Sequence, residues 1–332
     1  MKKAVIIIIG LMQLVAAKLK AQVDPHFSQY YSYPLWLNPA LTGVFDGDAR
    51  IGVNYKDQWA NINNGYRTGG VSADFRSGDK VGLGFNIINQ AAGDAGFNYF
   101  AAYGSFGYGI AVSPDGTKRL HFGLQAGLIN RSFDPNKLQF GDQYNPYTGF
   151  DPGSPSFETF TATSAIVFDS SVGLYYYDGN PDKNANLFGG VSIAHLTQSK
   201  DAFAEEGINS RIPIRYTIHG GVRLKVSDYF EITPNAIFIK QQANEIKALG
   251  LYNELKTDDD KSLIFGILYR IDDAVAASVG YHLNNVNIGL SYDINSSSLN
   301  AATKGQGGPE LSFSYIFGKH APEGPEPVCP RF

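Results

Sequence analysis

About fourteen stretches of this chain alternate apolar residues with small or polar ones, and most run to about ten residues or more. Val286, Ile288, Leu290, Tyr292 and Ile294 alternate with Asn287, Gly289, Ser291 and Asp293. Leu120, Phe122, Leu124, Ala126 and Leu128 alternate with His121, Gly123, Gln125 and Gly127. The same rule holds for Val275–Leu283 and Leu311–Phe317. A period of two puts one face of a strand in apolar surroundings and the other in polar ones. It rules out a helical fold, but a soluble sandwich and a membrane barrel both satisfy it. The predicted strands fall at 49–57, 66–76, 80–91, 97–112, 118–132, 166–178, 185–196, 212–225, 229–240, 245–256, 261–271, 274–283, 286–295 and 310–318. An average soluble strand has about 5–6 residues, whereas a tilted membrane-spanning strand needs about 9–11, and these lengths fit the second.

Connection length separates the two architectures further. After even-numbered strands the links are short turn signals such as Ser77-Gly78-Asp79, Pro114-Asp115-Gly116, Asp258-Asp259-Asp260 and Asn284-Asn285. After odd-numbered strands several are long: 58–65, 133–165, 197–211 and 296–309. Outer-membrane barrels segregate short periplasmic turns from longer outer loops, and a sandwich has no reason to. The parity places both chain ends on the periplasmic side. Tyr175-Tyr176-Tyr177, Tyr281, Tyr292, Tyr315 and Phe317 sit near strand ends, where interfacial girdles belong.

Ahead of the strands, Val23 to Asp48 is rich in aromatics (Phe27, Tyr30, Tyr31, Tyr33, Trp36) but follows no steady period. Pro25, Pro34 and Pro39 cut it into short pieces that cannot extend as a helix or a central strand. An apolar, irregular segment needs shelter, and the expected place is in or under the mouth of the barrel. The inward residues are mostly Gly, Ser, Asn, Gln and His rather than rings of charge, which suits a lumen filled by the chain's own plug better than a selective pore.

Met1-Lys2-Lys3, the apolar run from Ala4 to Ala17 and the small residue Ala21 read as a secretory signal peptide, too short to span a bilayer. A net charge of −4 gives no reason to expect nucleic acid as a partner. The single cysteine, Cys329, excludes an internal disulfide framework. The six histidines are scattered outside any metal-ligand or nucleophile spacing, and no GxSxG is present. Asp258-Asp259-Asp260 reads as a solvated hairpin turn rather than a calcium site. The expectation is therefore a non-enzymatic protein without cofactor or metal.

The opening residues Gln22-Val23-Asp24-Pro25-His26-Phe27-Ser28-Gln29-Tyr30-Tyr31, followed by Leu37-Asn38-Pro39-Ala40-Leu41-Thr42-Gly43, resemble the PorP/SprF family of Bacteroidetes outer-membrane proteins, which is linked to type IX secretion and gliding motility. Tyr55-Lys56-Asp57-Gln58-Trp59, Gly307-Gly308-Pro309-Glu310-Leu311-Ser312 and the terminal Cys329-Pro330-Arg331-Phe332 are similar too. The resemblance implies an outer-membrane component of the type IX machinery. Within the family it leans toward the branch that partners a secreted surface adhesin or its C-terminal domain. Asn-Pro-Ala also occurs in fatty-acid-transporter-like barrels, so a plugged porin or FadL-like transporter of small solutes is the alternative.

The sequence thus predicts an all-β outer-membrane barrel of about fourteen antiparallel strands with an irregular N-terminal plug. Its parts are a signal peptide at 1–21, the plug at 22–48, the barrel at 49–318 and a Pro-rich periplasmic tail at 319–332. The expected partners are outer-membrane lipid and a secreted adhesin or type IX components. The residues expected to carry the function are Pro25, Phe27, Tyr30, Tyr31, Trp36, Asn38, Pro39 and Ala40 in the plug, and Cys329, Pro330, Arg331 and Phe332 in the tail.

Overall fold

The computed structural model describes residues 24–59, 65–160, 162–200, 203, 211–258, 260–298 and 300–318. The expected signal peptide and the tail with Cys329, Pro330, Arg331 and Phe332 lie outside the described residues.

Strands form where the period-two pattern predicts them. They are β1 (Ala49–Gln58), β2 (Tyr66–Ser77), β3 (Val81–Ala92), β4 (Phe97–Ala111), β5 (Lys118–Ser132), the two-residue β6 (Tyr144–Asn145) and β7 (Gly149–Phe150), β8 (Ser164–Asp178), β9 (Ala185–Ala194), β10 (Arg215–Ser227), β11 (Phe230–Gln241), β12 (Asn244–Asp258), β13 (Lys261–Arg270), β14 (Ala274–Leu283), β15 (Val286–Asn295) and β16 (Gln306–Phe317). All except β6 and β7 form one closed antiparallel barrel, in which each strand pairs with its sequence neighbours. Pairing of β1 with β16, from Ala49↔Phe317 to Lys56↔Glu310, closes the sheet on itself.

The wall is apolar outside and polar inside. Leu124, Ile166, Leu187, Leu249 and Ile267 point outward and are more than half exposed, at 57%, 66%, 58%, 58% and 58%. Asn54, Ser72, Asn86, Gln125 and Ser312 point inward and are buried. An outward apolar face of this extent is stable only against lipid. Tyr281, Tyr292 and Phe317 are exposed on that face, and Tyr315 packs edge-on against Phe317 with ring centroids 4.5 Å apart. Tyr175 and Tyr177 depart from the girdle expectation. Both are buried in the lumen, because alternation allows only Tyr176 of the three to face outward.

Connections 133–163, 195–214 and 296–305 gather at one end of the barrel, and 78–80, 112–117, 179–184, 228–229 and 284–285 at the other. The first is the outer end and the second the periplasmic end.

Residues 24–48 thread the lumen along its height. Asp24 contacts Arg215 and Gln241 at the outer ends of β10 and β11, while Asp48 hydrogen-bonds the carbonyl of Phe317 at the periplasmic end. The segment coils through short helical turns at Tyr30–Ser32, Pro34–Leu37 and Pro39–Leu41, two of them opened by proline at the position where its missing N–H costs nothing. This corrects two expectations. The segment fills the barrel from end to end rather than sitting at its mouth, and its upstream end lies at the outer side rather than the periplasmic one. The cause is the charged interior near the outer end, which binds the beginning of the segment. Apolar plug residues make the core: Tyr30, Tyr31, Leu37 and Leu41 pack with Tyr175, Phe188, Ile237 and Tyr252, and Phe27, Tyr33 and Trp36 with Ile88, Tyr103 and Ile129.

Candidate functional site

Three sets of polar contacts hold the plug. At the middle, Asn38 donates its amide to the carbonyls of Leu174 and Val191 at 3.1 and 3.3 Å and lies 3.2 Å from His219 Nε2. Its Oδ1 accepts the N–H of Ala40 at 3.0 Å, which closes the turn onto Pro39. Glycines in the wall admit this turn. A Cβ at Gly123 would strike the Pro39–Ala40 backbone, and one at Gly173 would strike the Asn38 side chain.

A second set joins the outer half of the plug to β1, β13, β15 and β16. Glu310 accepts the backbone N–H groups of Ser28 and Gln29 at 2.6 and 2.8 Å. Asp293 accepts Ser28 Oγ at 2.8 Å and pairs with Arg270 at 2.6 Å and Lys56 at 3.1 Å. Two cations and two anions thus neutralise one another, with every side chain at most 1% exposed. Breaking such a pair by removing one partner costs about 3–5 kcal/mol.

The third set lies at the plug's upstream end. Asp24 pairs with His195 Nε2 at 2.6 Å and Arg215 at 2.9 Å, and Asp169 takes the other ring nitrogen of His195 at 2.9 Å. Burial pushes the Asp24 carboxyl up, but His195 and Arg215 outweigh it and hold the group well below the usual carboxylate range. Burial disfavours the His195 cation, yet Asp24 and Asp169 raise its pKa to about 9. Arg215 also covers the Trp36 ring at 4.7 Å.

The plug residues singled out from the sequence fall within this arrangement. The Pro25 carbonyl accepts Trp36 Nε1–H at 2.8 Å, Phe27 meets Tyr33 edge-on at 5.3 Å, and Tyr30 stacks on His26 at 6.3 Å. Tyr31 meets Phe188 and Tyr252 edge-on. Sequence reasoning missed Lys56, Asp169, Arg270, Asp293 and Glu310. Their signal was parity: each occupies an inward position of an alternating strand, where an uncompensated charge would be costly. The inward residues are thus not only the Gly, Ser, Asn, Gln and His expected from the sequence but include paired charges gathered toward the outer end.

Spaces of about 20 Å³ lie beside His26 and Trp36 and beside Thr42 and His121, each enough for a water molecule. A concavity of about 760 Å³ lies over Gly104 and Ala126 on the lipid-facing wall, outside the lumen.

At the outer end, described residues of the connection 133–163 contact one another. β6 and β7 pair, and Asp142 accepts the Phe157 N–H at 2.7 Å. Tyr147 and Phe157 nevertheless stand 96% and 83% exposed. Among the described residues, no cluster of His, Cys, Asp and Glu has the makings of a metal site.

These features define a class: a closed outer-membrane barrel whose lumen is filled by its own N-terminal segment. The sequence profile described as "Type IX secretion system membrane protein PorP/SprF" matches residues 19–315. The chain belongs to the PorP/SprF family and is an outer-membrane component of the type IX secretion system. No curated protein matches it. Among solved structures it is similar to the toluene transporter TbuX of Ralstonia pickettii, with a TM-score of 0.53 and 11% identity over 85% of this chain and 93% of that one. It is also similar to the monoaromatic hydrocarbon channel CymD, with a TM-score of 0.49 and 12% identity over 87% and 94%. At this identity the likeness to TbuX concerns the fold alone.

Proposed function

We propose that this barrel is a non-enzymatic anchor that binds a secreted surface adhesin, or its C-terminal domain, at the outer face and supports its secretion or attachment. The observation that carries this reading is the filled lumen. Its plug is fastened along the outer half by the ion pairs of Asp24 with His195 and Arg215 and by the hydrogen bonds of Ser28 and Gln29 to Asp293 and Glu310, so the barrel serves as a rigid post rather than a conduit. Exposed Tyr147 and Phe157 on the outer loop supply aromatic anchors of the kind that dominate protein interfaces.

The test is a tagged barrel isolated from its native outer membrane together with a strain lacking it. The expected result is a large secreted surface protein copurifying with the barrel and failing to reach or remain on the surface of the deletion strain. Unchanged surface adhesins, secreted cargo and gliding in that strain would overturn the proposal. A solute-transporter reading draws on the fold shared with TbuX and on the apolar concavity in the lipid-facing wall. It requires ligand binding or conductance by the purified barrel in planar bilayers.

A further inference from the structure

The strand β8 is paired unevenly. β5 pairs with its whole length, from Lys118↔Asp178 to Ser132↔Ser164. β9 pairs only from Ser171↔Ala194 to Tyr177↔Phe188. Among the described residues, Ser164–Ser170 therefore have a strand neighbour on one side only. Carbonyl contacts show which groups face the other side. Ser170 O accepts the Leu196 N–H at 3.0 Å, and Phe168 O accepts the hydroxyls of Thr197 and Ser199 at 3.0 and 2.6 Å. The N–H and C=O of one strand residue point the same way, so the even-numbered residues from Ser164 to Ser170 present their backbone groups away from β5.

Among the described residues of the connection 195–214, backbone and hydroxyl contacts to this edge end at Phe168. Beyond it the two arms of the connection pair with each other, through the Lys200↔Arg211 bridge and the Ile212 N–H to Ser199 O bond. Phe203 turns aside to meet Phe133, 5.4 Å away. No described strand reaches Ile166 from that side. The position along the barrel matters as well. About 9–11 residues counted from Asp178 complete a membrane crossing near Phe168–Ser170. An open edge is incompatible with the hydrocarbon layer and compatible with the water above it. Natural edges are blunted with lysine, proline or inward charge. Between Ser164 and Phe168 the sequence is Ser-Ala-Ile-Val-Phe, with none of these, and Ile166 and Phe168 are 66% and 54% exposed beside the edge. The edge continues from the outer loop that carries Phe157.

We propose that Ser164–Phe168 is a strand-addition site, at which an extended segment of the partner polypeptide pairs with the outer edge of β8. The inference rests on the reading of the barrel as a binder of a secreted surface protein. Alternating backbone donors and acceptors along one strand are matched by another extended backbone, and Ile166 and Phe168 select apolar side chains at alternate positions of that segment.

The test places the photo-crosslinker p-benzoylphenylalanine at position 147, 166 or 168 of the full chain in intact cells and maps the adducts by mass spectrometry. The expected result is capture of one secreted protein from all three positions, with the 166 and 168 adducts falling two residues apart within one segment. Ile166→Pro deletes an N–H that pairs with none of the described strands, and an edge tolerates it. In that background the adduct from position 168 should fall at least tenfold, while the adduct from position 147 and the heat-modifiability of the barrel remain. Ile166→Lys, a charge on the same edge, should do the same. Capture from position 147 alone, adducts at 166 and 168 confined to lipid or to this chain's own 195–214 connection, or insensitivity to Ile166→Pro would overturn strand addition and leave the binding reading intact. An absence of adducts at all three positions would overturn both.

Discussion

Replacing Asp293 with asparagine tests whether buried charge holds the plug in place. Asp293 is bonded to Arg270 at 2.6 Å, Ser28 Oγ at 2.8 Å and Lys56 at 3.1 Å, with both members of each ion pair only 1% exposed. Asparagine preserves the volume and one acceptor but leaves Lys56 with Glu310, 3.8 Å away, and Arg270 with the half-exposed Asp273. The pairs of Asp293 with Arg270 and Lys56 lie within the wall, and breaking them costs the barrel as a whole about 3–5 kcal/mol. The plug itself loses the hydrogen bond of Ser28 to a charged acceptor, worth about 1.5–3 kcal/mol, so at about 1.4 kcal/mol per decade the population with its outer half released rises roughly ten- to a hundred-fold. Part of the lumen then opens intermittently. In planar bilayers the wild-type barrel should be electrically quiet and Asp293→Asn should show frequent brief openings. Limited proteolysis should also reach the segment around Ser28. Lys247→Gln, which removes a surface pair with Glu245, is the control and should stay quiet. If Asp293→Asn is as silent and as resistant as wild type, the charge of Asp293 does not hold the plug and its other contacts retain it.

Gly173→Leu should lower thermal stability by several kcal/mol or displace the plug, since the added side chain meets Asn38, whereas Gly78→Ala, with nothing within 4 Å of the new Cβ, should cost far less; the heat-induced gel shift reports both. The Asp24–His195 contact should contribute fully only within a window of pH. The His195 share is present below its unfolded pKa of about 6.5 and fades as pH rises through about 9. The Asp24 share is present above about 3.8 and fades as pH falls toward its depressed folded value. Protection from hydrogen exchange at the His26–Gln29 amides, relative to the intrinsic rate at each pH, should therefore fall above pH 9 in wild type, and His195→Gln should remove that fall. Tyr147→Ala combined with Phe157→Ala should leave the melting temperature unchanged while reducing recovery of the secreted partner at least tenfold.

Strand positions were legible in the sequence because lipid outside and protein inside impose opposite demands on adjacent residues. Val286–Ile294 could be assigned to its faces from alternation alone, and the structure has it at Val286–Asn295. Parity of connection length gave the orientation of the barrel for the same reason. The aromatic plug was legible as something needing shelter, but its course was not. That course depends on Asp24 and Ser28 finding Arg215, Asp293 and Glu310, which lie roughly two hundred or more positions away and are joined only by the closed register. Tyr175 and Tyr177 were misassigned because proximity to a strand end was weighed before the face each residue occupies. The role of Gly123 and Gly173 became visible only once Asn38, Pro39 and Ala40 stood against them.

The course of the plug also gives the stopper a mechanical polarity. Its downstream end continues covalently into β1 at the periplasmic rim, and Asp24 near its upstream end is held at the outer rim by ion pairs with His195 and Arg215. Tension applied from outside draws the coiled segment taut. About 25 residues extend to roughly 80 Å, about twice the height of the wall, so a thin strand would remain in the lumen under load. Tension from the periplasm, by contrast, withdraws the segment and leaves the bore empty. A load hung on the outer face therefore cannot uncork this barrel, a useful property for a post that tethers a surface protein under shear.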